Sequence, residues 1–253
     1  MKRTKRRYTL EEYEYAMMLL KQGRSLRETS RLTGIPKSTL SYWKRNIHKP
    51  PLAWWRPEPS RELAYIVGVQ LSDGYIHKKE KEWHYDDGLY STDKEYVEEY
   101  SRCVAIVLGR RENKIQFKER SDRREKGWYV EYGSVAFYYW YKQQNLETLK
   151  PYIEHCEECT RAFLRGFFDG DGSNSGKQVF AYNSNREILV YVKQLLEKLG
   201  VRTSKVSLNT KAGTEHRRKN GGVIKTRKDC FQLCVNRRDF LEKVGFSIAR
   251  KNK

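Results

Sequence analysis

Two stretches of the chain, ELAYIVGVQLSDGYI from Glu62 and TRAFLRGFFDGDGSN from Thr160, carry matching residues in one register. Ala64 and Ala162, Gly68 and Gly166, Asp73 and Asp171, and Gly74 and Gly172 each stand 98 positions apart, which predicts two copies of one folding unit. In each copy the residues four apart are small: Ala64, Gly68 and Ser72 in the first, Ala162, Gly166 and Gly170 in the second. Each predicted helix therefore carries a bare ridge on which another backbone can approach closely, and the natural partner is the other copy. Each helix is expected to end in Asp-Gly, with the glycine in the left-handed conformation that stops a helix. Asp73 and Asp171 then arrive side by side. A carboxylate at a helix C-terminus opposes the macrodipole and two carboxylates together repel, so a cation is expected between them. Hard oxygen donors point to Mg²⁺, with Mn²⁺ as an alternative.

The repetition continues downstream. YSTDKEYV at Tyr90 echoes YNSNREIL at Tyr182, each opening a helix that ends in Leu-Gly, at Leu108 and Gly109 or at Leu199 and Gly200. Strand-like alternation follows each helix, at Lys114 to Lys118 and Trp128 to Gly133 in the first half, and at Lys205 to Leu208 and Cys230 to Val235 in the second. Each half reads helix, two strands, helix, two strands, helix.

Before the repeats, Thr9 caps a helix with apolar residues at Leu10, Tyr13, Ala16, Met17 and Leu20, ending at Gly23. Ser25 caps a second, short helix, Gly34 supplies a sharp turn, and Pro36 with Lys37 opens a third through Leu40 and Trp43. The stretch SLRETSRLTGIPKSTLSYWKR resembles the helix-turn-helix of resolvases, transposases and related regulators. Its third helix would present Lys37, Ser38, Thr39, Tyr42, Lys44 and Arg45 to phosphates and base edges. Four of the chain's 6 prolines, Pro50, Pro51, Pro57 and Pro59, then surround Trp54 and Trp55 and read as a stiff linker.

The formal net charge is +19, far above what solubility requires, so a polyanionic partner is expected. The excess sits at the ends: 13 Lys and Arg against 4 Asp and Glu through Lys49, and 15 against 4 from Val201 onward, with the middle near balance. The 18 Tyr, 9 Phe and 6 Trp supply a core, which excludes a wholly disordered chain. No apolar run approaches the ~20 residues that cross a bilayer, so no membrane association is expected and the expected location is cytoplasmic, with the nucleoid as its site in a prokaryote. Five scattered cysteines do not read as a secreted disulfide framework. His155, Cys156 and Cys159 resemble half a zinc site, but Cys230 and Cys234 would lie ~13 Å apart along a strand and do not complete it. The glycine-bearing stretch GTEHRRKNGG is expected to be a flexible turn.

The two Asp-Gly segments resemble the two motifs of the LAGLIDADG homing endonucleases in their single-chain form. GFFDGDG follows the pattern closely, whereas GVQLSDG has Leu71 where the first acid often stands and keeps the last, Asp73. The resemblance implies an α+β fold of two pseudo-symmetric αββαββα repeats forming a DNA-binding saddle, here joined to a small all-α helix-turn-helix domain. The divisions are residues 1–46, a linker at 47–60, and repeats at 61–158 and 159–253. It further implies a monomer cutting double-stranded DNA with divalent metal held by Asp73 and Asp171, each assisted by a basic residue. Lys251 in the closing GFSIARKNK and Lys150 in the first half are the candidates. Outward residues on such a saddle are His77, Lys78, Lys79, Gln116, Lys118, Arg120 and Arg123 in one half, and Ser207, Asn209, Lys211, Arg217, Arg218, Lys225 and Arg227 in the other. The rival expectations are a DNA-binding regulator without cleavage and an RNA maturase using the same basic surface.

Overall fold

The computed structural model describes residues 8–50, 55–79, 84–120, 125–217 and 223–253. The chain divides into two compact units, Met1–Pro57 with Val135–Lys142, and Glu58–Ser134 with Gln143–Lys253. In the first unit α1 (Leu10–Lys21), α2 (Leu26–Thr33) and α3 (Lys37–Lys44) lie where the apolar spacing predicts helices. Thr9 and Ser25 each accept a backbone N–H from Glu12 or Glu28, whose carboxylate accepts the cap's own N–H in return, so the first two helices begin with two orphan donors satisfied. Gly34 leaves α2 at φ 69°, a conformation side-chain-bearing residues resist. Ala16, Ile35, Leu40 and Trp43 form the core, with Tyr13, Met17 and Leu26 against them. Each such large side chain contributes roughly 2 kcal/mol by leaving water.

The second unit contains both repeats. The first runs α4 (Arg61–Gln70), β1 (Tyr75–Lys79), β2 (His84–Ser91), α5 (Lys94–Val107), β3 (Gln116–Arg120) and β4 (Glu125–Gly133), and is followed in the chain by α6 (Val135–Lys142), which belongs to the first unit. After α7 (Leu146–Ile153) comes the second: α8 (Glu157–Asp171), β5 (Gly172–Asn174), β6 (Gln178–Asn183), α9 (Arg186–Lys198), β7 (Ser207–Thr210), a hairpin of β8 (Glu215–Arg217) and β9 (Val223–Lys225), β10 (Cys230–Asn236) and α10 (Arg237–Lys243). The sheets are antiparallel with orders β1-β2-β4-β3 and β5-β6-β10-β7. Both have the same order once β10 is matched to β4, as the repeat predicts. The β8–β9 hairpin differs from the expected flexible turn, because Glu215 to Arg217 register against Val223 to Lys225. A second difference concerns α6. The repeat pattern puts residues 135–142 in the first repeat and the prolines put Trp55 in a linker, yet the rings of Phe137 and Trp140 lie 5.8 and 5.9 Å from that of Trp55, and both segments group with the N-terminal unit. Trp54 lies outside the described residues.

Period-two patterning sorts the sheet faces. Leu89, Val130 and Tyr132, and Val179, Ala181, Leu233 and Val235, are buried on the inner faces. Asp87 shares the inner face of the first sheet and is 2% exposed. Its Oδ1 accepts from Gln70 Nε2 at 2.6 Å and from the Tyr100 hydroxyl, while Oδ2 has no hydrogen-bond partner among the described residues. Burial pushes its carboxyl from 3.8 to about 7, with the Tyr100 bond opposing. The native state thus holds this proton more tightly than the unfolded chain. The stability so gained is fully present below about pH 4 and is lost as the pH rises through about 7. Asp87→Asn, neutral throughout, is expected to melt higher than the parent at pH 8, by an advantage on the order of a few kcal/mol that shrinks toward pH 5. An equal difference at the two pH values would remove the ionisation argument.

Candidate active site

Helices α4 and α8 cross on the small residues. A Cβ on Gly68 would stand 2.2 Å from the Phe163 carbonyl oxygen and 2.8 Å from the Phe167 nitrogen, and one on Gly166 would stand 2.4 Å from the Tyr65 carbonyl oxygen. The two backbones touch at positions where a side chain has no room. Ala64 and Ala162 are buried, and Gly170 lies against Ser72, whose Oγ would be 2.4 Å from an added Cβ. Ser72 itself bonds back to the Gly68 carbonyl at 3.1 Å.

The crossing carries the acids to one place. Asp171 is the last residue of α8, and Asp73 is exposed in the turn after α4. The Asp171 carboxyl is pushed up to about 7, first by burial and then by the charge of Asp73, while a hydrogen bond from Asn183 Nδ2 and the charge of Lys251 oppose. Asn183 also donates to the Leu71 carbonyl at 3.3 Å, so one β6 side chain ties the end of one motif helix to that of the other. Burial, and then the charges of Asp73, Asp169 and Asp171, make the Tyr96 hydroxyl hold its proton more firmly, with a bond to Ser72 opposing. The glycines after the acids are not left-handed: neither Gly74 nor Gly172 has positive φ. Gly172 is extended and passes straight into β5, and its lack of a side chain serves packing, since a Cβ would stand 2.3 Å from the Phe168 carbonyl oxygen.

Lys251 lies at this site and Lys150 does not. Lys251, on the closing 3-10 turn Ala249–Asn252, donates from Nζ to the carbonyls of Asp169 at 2.7 Å and Gly172 at 2.8 Å. Burial lowers its affinity for its proton, and the charges of Asp169, Asp93 and Asp73 oppose this. Lys150 is on α7, with Nζ 2.7 Å from Glu147 Oε1 and 5.6 Å from the Tyr191 ring centre. The Tyr191 ring in turn lies 6.0 Å from that of Phe163, eight residues before Asp171 and so about 12 Å back along α8.

Asp169 has no place in the sequence-based site, yet it organises the closing segment. It is 2% exposed, its Oδ2 accepts from the Tyr65 hydroxyl at 2.8 Å, and its Oδ1 accepts from the Ser247 N–H at 2.9 Å. Its carboxyl is raised to about 6 by burial, against those bonds. Arg250 adds a bidentate pair with Asp93 at 2.7 Å for both bonds. The available signal was the register itself, which sets Asp169 against Leu71 and so marks a side chain needed in one half alone.

The outer faces of the sheets hold several of the expected contact residues. Gln116 and Lys118 are exposed; the Tyr129 hydroxyl donates to Gln116 Oε1 at 2.6 Å, and Lys118 Nζ lies 3.9 Å from the Tyr129 ring centre. Asp86 and Glu131 share that face, so it is less uniformly basic than expected. In the second half Ser207, Asn209, Lys225 and Arg227 are exposed. The side chain of Arg120, and Arg123 and Arg218 altogether, lie outside the described residues. In the other unit Lys37, Ser38, Tyr42, Lys44 and Arg45 are exposed on or just after α3, Thr39 is half-buried, and the Arg45 guanidinium lies 5.1 Å from the Tyr42 ring centre.

Two helices crossing on glycine, each ending beside an aspartate and each followed by a four-stranded antiparallel sheet, define a class of α+β protein built by internal duplication. A family model for the LAGLIDADG-like domain matches residues 158–245. The uncharacterized protein MJ0398 of Methanocaldococcus jannaschii is 31% identical over 257 residues, 96% of this chain and 91% of that protein. MJ0314 of the same organism is 32% identical over 178 residues, 67% of this chain and 64% of that protein. Among solved structures, I-DmoI in complex with DNA and Mn aligns with a TM-score of 0.52 at 19% identity, covering 74% of this chain and 98% of that one. The homing endonuclease I-WcaI, bound to its DNA recognition sequence, aligns with a TM-score of 0.50 at 16% identity, covering 79% and 89%. The chain belongs to the LAGLIDADG family. No helix among the described residues is long and apolar enough to cross a membrane.

Proposed function

We propose that the protein is a site-specific endonuclease of double-stranded DNA, with Asp73 and Asp171 as its metal-holding pair. The observation that carries this reading is the meeting of two carboxylates at the ends of crossed helices, where Asp171 is raised first by burial and further by the charge of Asp73. No cluster of three or more His, Cys, Asp or Glu fit to hold a metal occurs among the described residues, so the chain offers two hard oxygen donors. That donor set suits Mg²⁺, or Mn²⁺, which is commonly held by one or two carboxylates with substrate phosphate and water completing the shell. Bound there, the ion would supply polarisation of the scissile phosphate and of the attacking water. Asn183 orients the Asp171 carboxylate through its hydrogen bond, and the Lys251 ammonium favours the ionised form of Asp171 that such binding needs. The outer sheet faces, carrying Gln116, Lys118, Ser207 and Asn209, with Lys225 on β9 and Arg227 just after it, contact backbone phosphates and groove edges.

The three N-terminal helices act in this reading as a helix-turn-helix that extends the DNA footprint. Replacing Lys37, Lys44 and Arg45 together by alanine is expected to weaken binding at all sequences and to flatten the dependence of log affinity on log salt by about 2 to 3, since each phosphate contact contributes ~0.9. An unchanged slope would make that unit a structural cap. The function itself is tested by incubating the protein with a random duplex library in Mg²⁺ or Mn²⁺ and sequencing cleaved ends. One recurrent site, cut in both strands, is expected. Tight selective binding without any nick would leave a DNA-binding regulator, and preference for structured RNA would leave a maturase.

A further inference from the structure

The five cysteines are all unpaired, and two of them face each other. Cys156 is the N-cap of α8 and Cys159 occupies the third helical position, the two places that a capping box brings face to face. Cys156 Sγ accepts the Cys159 N–H at 3.3 Å and lies 3.2 Å from Cys159 Sγ, closer than two sulfurs in plain van der Waals contact. The Cys-x-x-Cys spacing at the start of a helix is the arrangement in which a thiolate is stabilised by the helix's positive end and a second thiol stands ready to resolve. A disulfide needs about 2.05 Å between sulfurs, so closure asks for roughly 1 Å of movement, which side-chain rotation supplies. The other thiols are placed differently: Cys103 is buried beside Glu99, and Cys230 and Cys234 stand ~13 Å apart along β10.

We propose that Cys156 and Cys159 are a redox-active dithiol, oxidised to an intramolecular disulfide by small disulfides of the glutathione class. Cys156 is exposed and Cys159 is 3% exposed, which fixes the order of attack. The Cys156 thiolate attacks one sulfur of the small disulfide, forming a mixed disulfide and expelling one small thiolate. The Cys159 thiolate then attacks Cys156 Sγ, closing the protein disulfide and expelling the second small thiolate. The two protons released by the cysteines end on the two departing thiolates, so two protein thiols are oxidised and one small disulfide is reduced to two thiols. Burial pushes the Cys159 thiol up to about 11, and the 3.2 Å between the two sulfurs offsets the small thiolate fraction by making the second step intramolecular. The cross-link pins the first turn of the helix whose other end is Asp171.

The experiment takes the full chain, reduced and then exposed to oxidised glutathione, and reads thiol count, intact mass and peptide map. The expected result is loss of two of the five thiols, a mass lower by two hydrogens, and one cross-linked peptide joining Cys156 to Cys159. Cys159→Ser is expected to stop at a mixed disulfide carrying one glutathione on Cys156, and Cys156→Ser to keep all its remaining thiols. Persistence of five thiols in the native chain, a stable glutathione adduct on it, or a disulfide between any other pair would overturn the proposal. None of these readouts depends on DNA cleavage.

Discussion

Asp73→Asn and Asp171→Asn are each expected to lower the rate of DNA cleavage by about a thousandfold or more. On the proposed function, a divalent cation held by the pair would stabilise several kcal/mol of transition-state charge, and each 1.36 kcal/mol is a factor of ten in rate. Asparagine keeps the size and planarity of the side chain and discards the charge that attracts the cation. Binding to the selected duplex is expected to stay the same or tighten, because a negative charge is removed from beside the phosphates. The Asp171 variant should also melt no lower than the parent at pH 8, since its carboxyl, raised to about 7, is ionised there against burial and against Asp73. Single-turnover cleavage, a binding titration and a thermal melt on the same preparations separate the three quantities. A variant that still cuts within tenfold of the parent would place the catalytic carboxylates elsewhere.

The second large effect is on stability. Gly68→Ala and Gly166→Ala add one methyl group each, and in a free helix that change would be favourable by about 1 kcal/mol. Here the added carbon would lie 2.2 Å from the Phe163 carbonyl oxygen or 2.4 Å from the Tyr65 carbonyl oxygen. Both obstacles are backbone, so neither rotates away, and α4 and α8 must separate along a contact that holds the two repeats. Overpacking typically costs ~1–3 kcal/mol, and obstruction by rigid backbone puts these sites at or above the upper end, a loss of roughly 10 °C in melting temperature. Gly133→Ala is the control, for its added carbon would approach nothing nearer than the Tyr85 carbonyl oxygen at 4.0 Å, and a change of under about 0.5 kcal/mol is expected. If Gly68→Ala melts with the parent, the close crossing of the helices is wrong. Separation of the helices also moves Asp73 from Asp171, so cleavage should fall in these variants even below their melting temperatures.

Much of this architecture was readable in one chain because repetition is a pattern that needs no contact map. The interval of 98 residues located both motif helices, and the renewed Tyr-led segments at Tyr90 and Tyr182 located the strands and the next helices. The N-terminal helices were legible from their caps, because Thr9 and Ser25 each stand three residues before a glutamate that returns the bond. The parts not legible in the sequence are those in which distant segments choose each other. Trp55 and α6 are separated by some 80 residues, and nothing in either says that they share a core. Gly172 looked like a helix stop because Asp-Gly often is one, whereas the space it leaves is taken by the preceding turn of the same helix. Lys150 was the first-half candidate for a basic partner, but on α7 it pairs with Glu147 and lies over the Tyr191 ring.

By itself the amino-acid order determined the duplicated α+β plan, the small-residue ridges, the pair of terminal aspartates and the concentration of cations at both ends of the chain. These are local or periodic properties, set by which residue types recur at which spacing. Only the tertiary structure decided that Asp169 anchors the closing segment, that Lys251 rests on the carbonyls of Asp169 and Gly172, and that Asn183 bridges the ends of the two motif helices. Each of those bonds joins residues whose separation in sequence bears no relation to their separation in space, and their energies depend on burial that no single segment possesses before the repeats pack together.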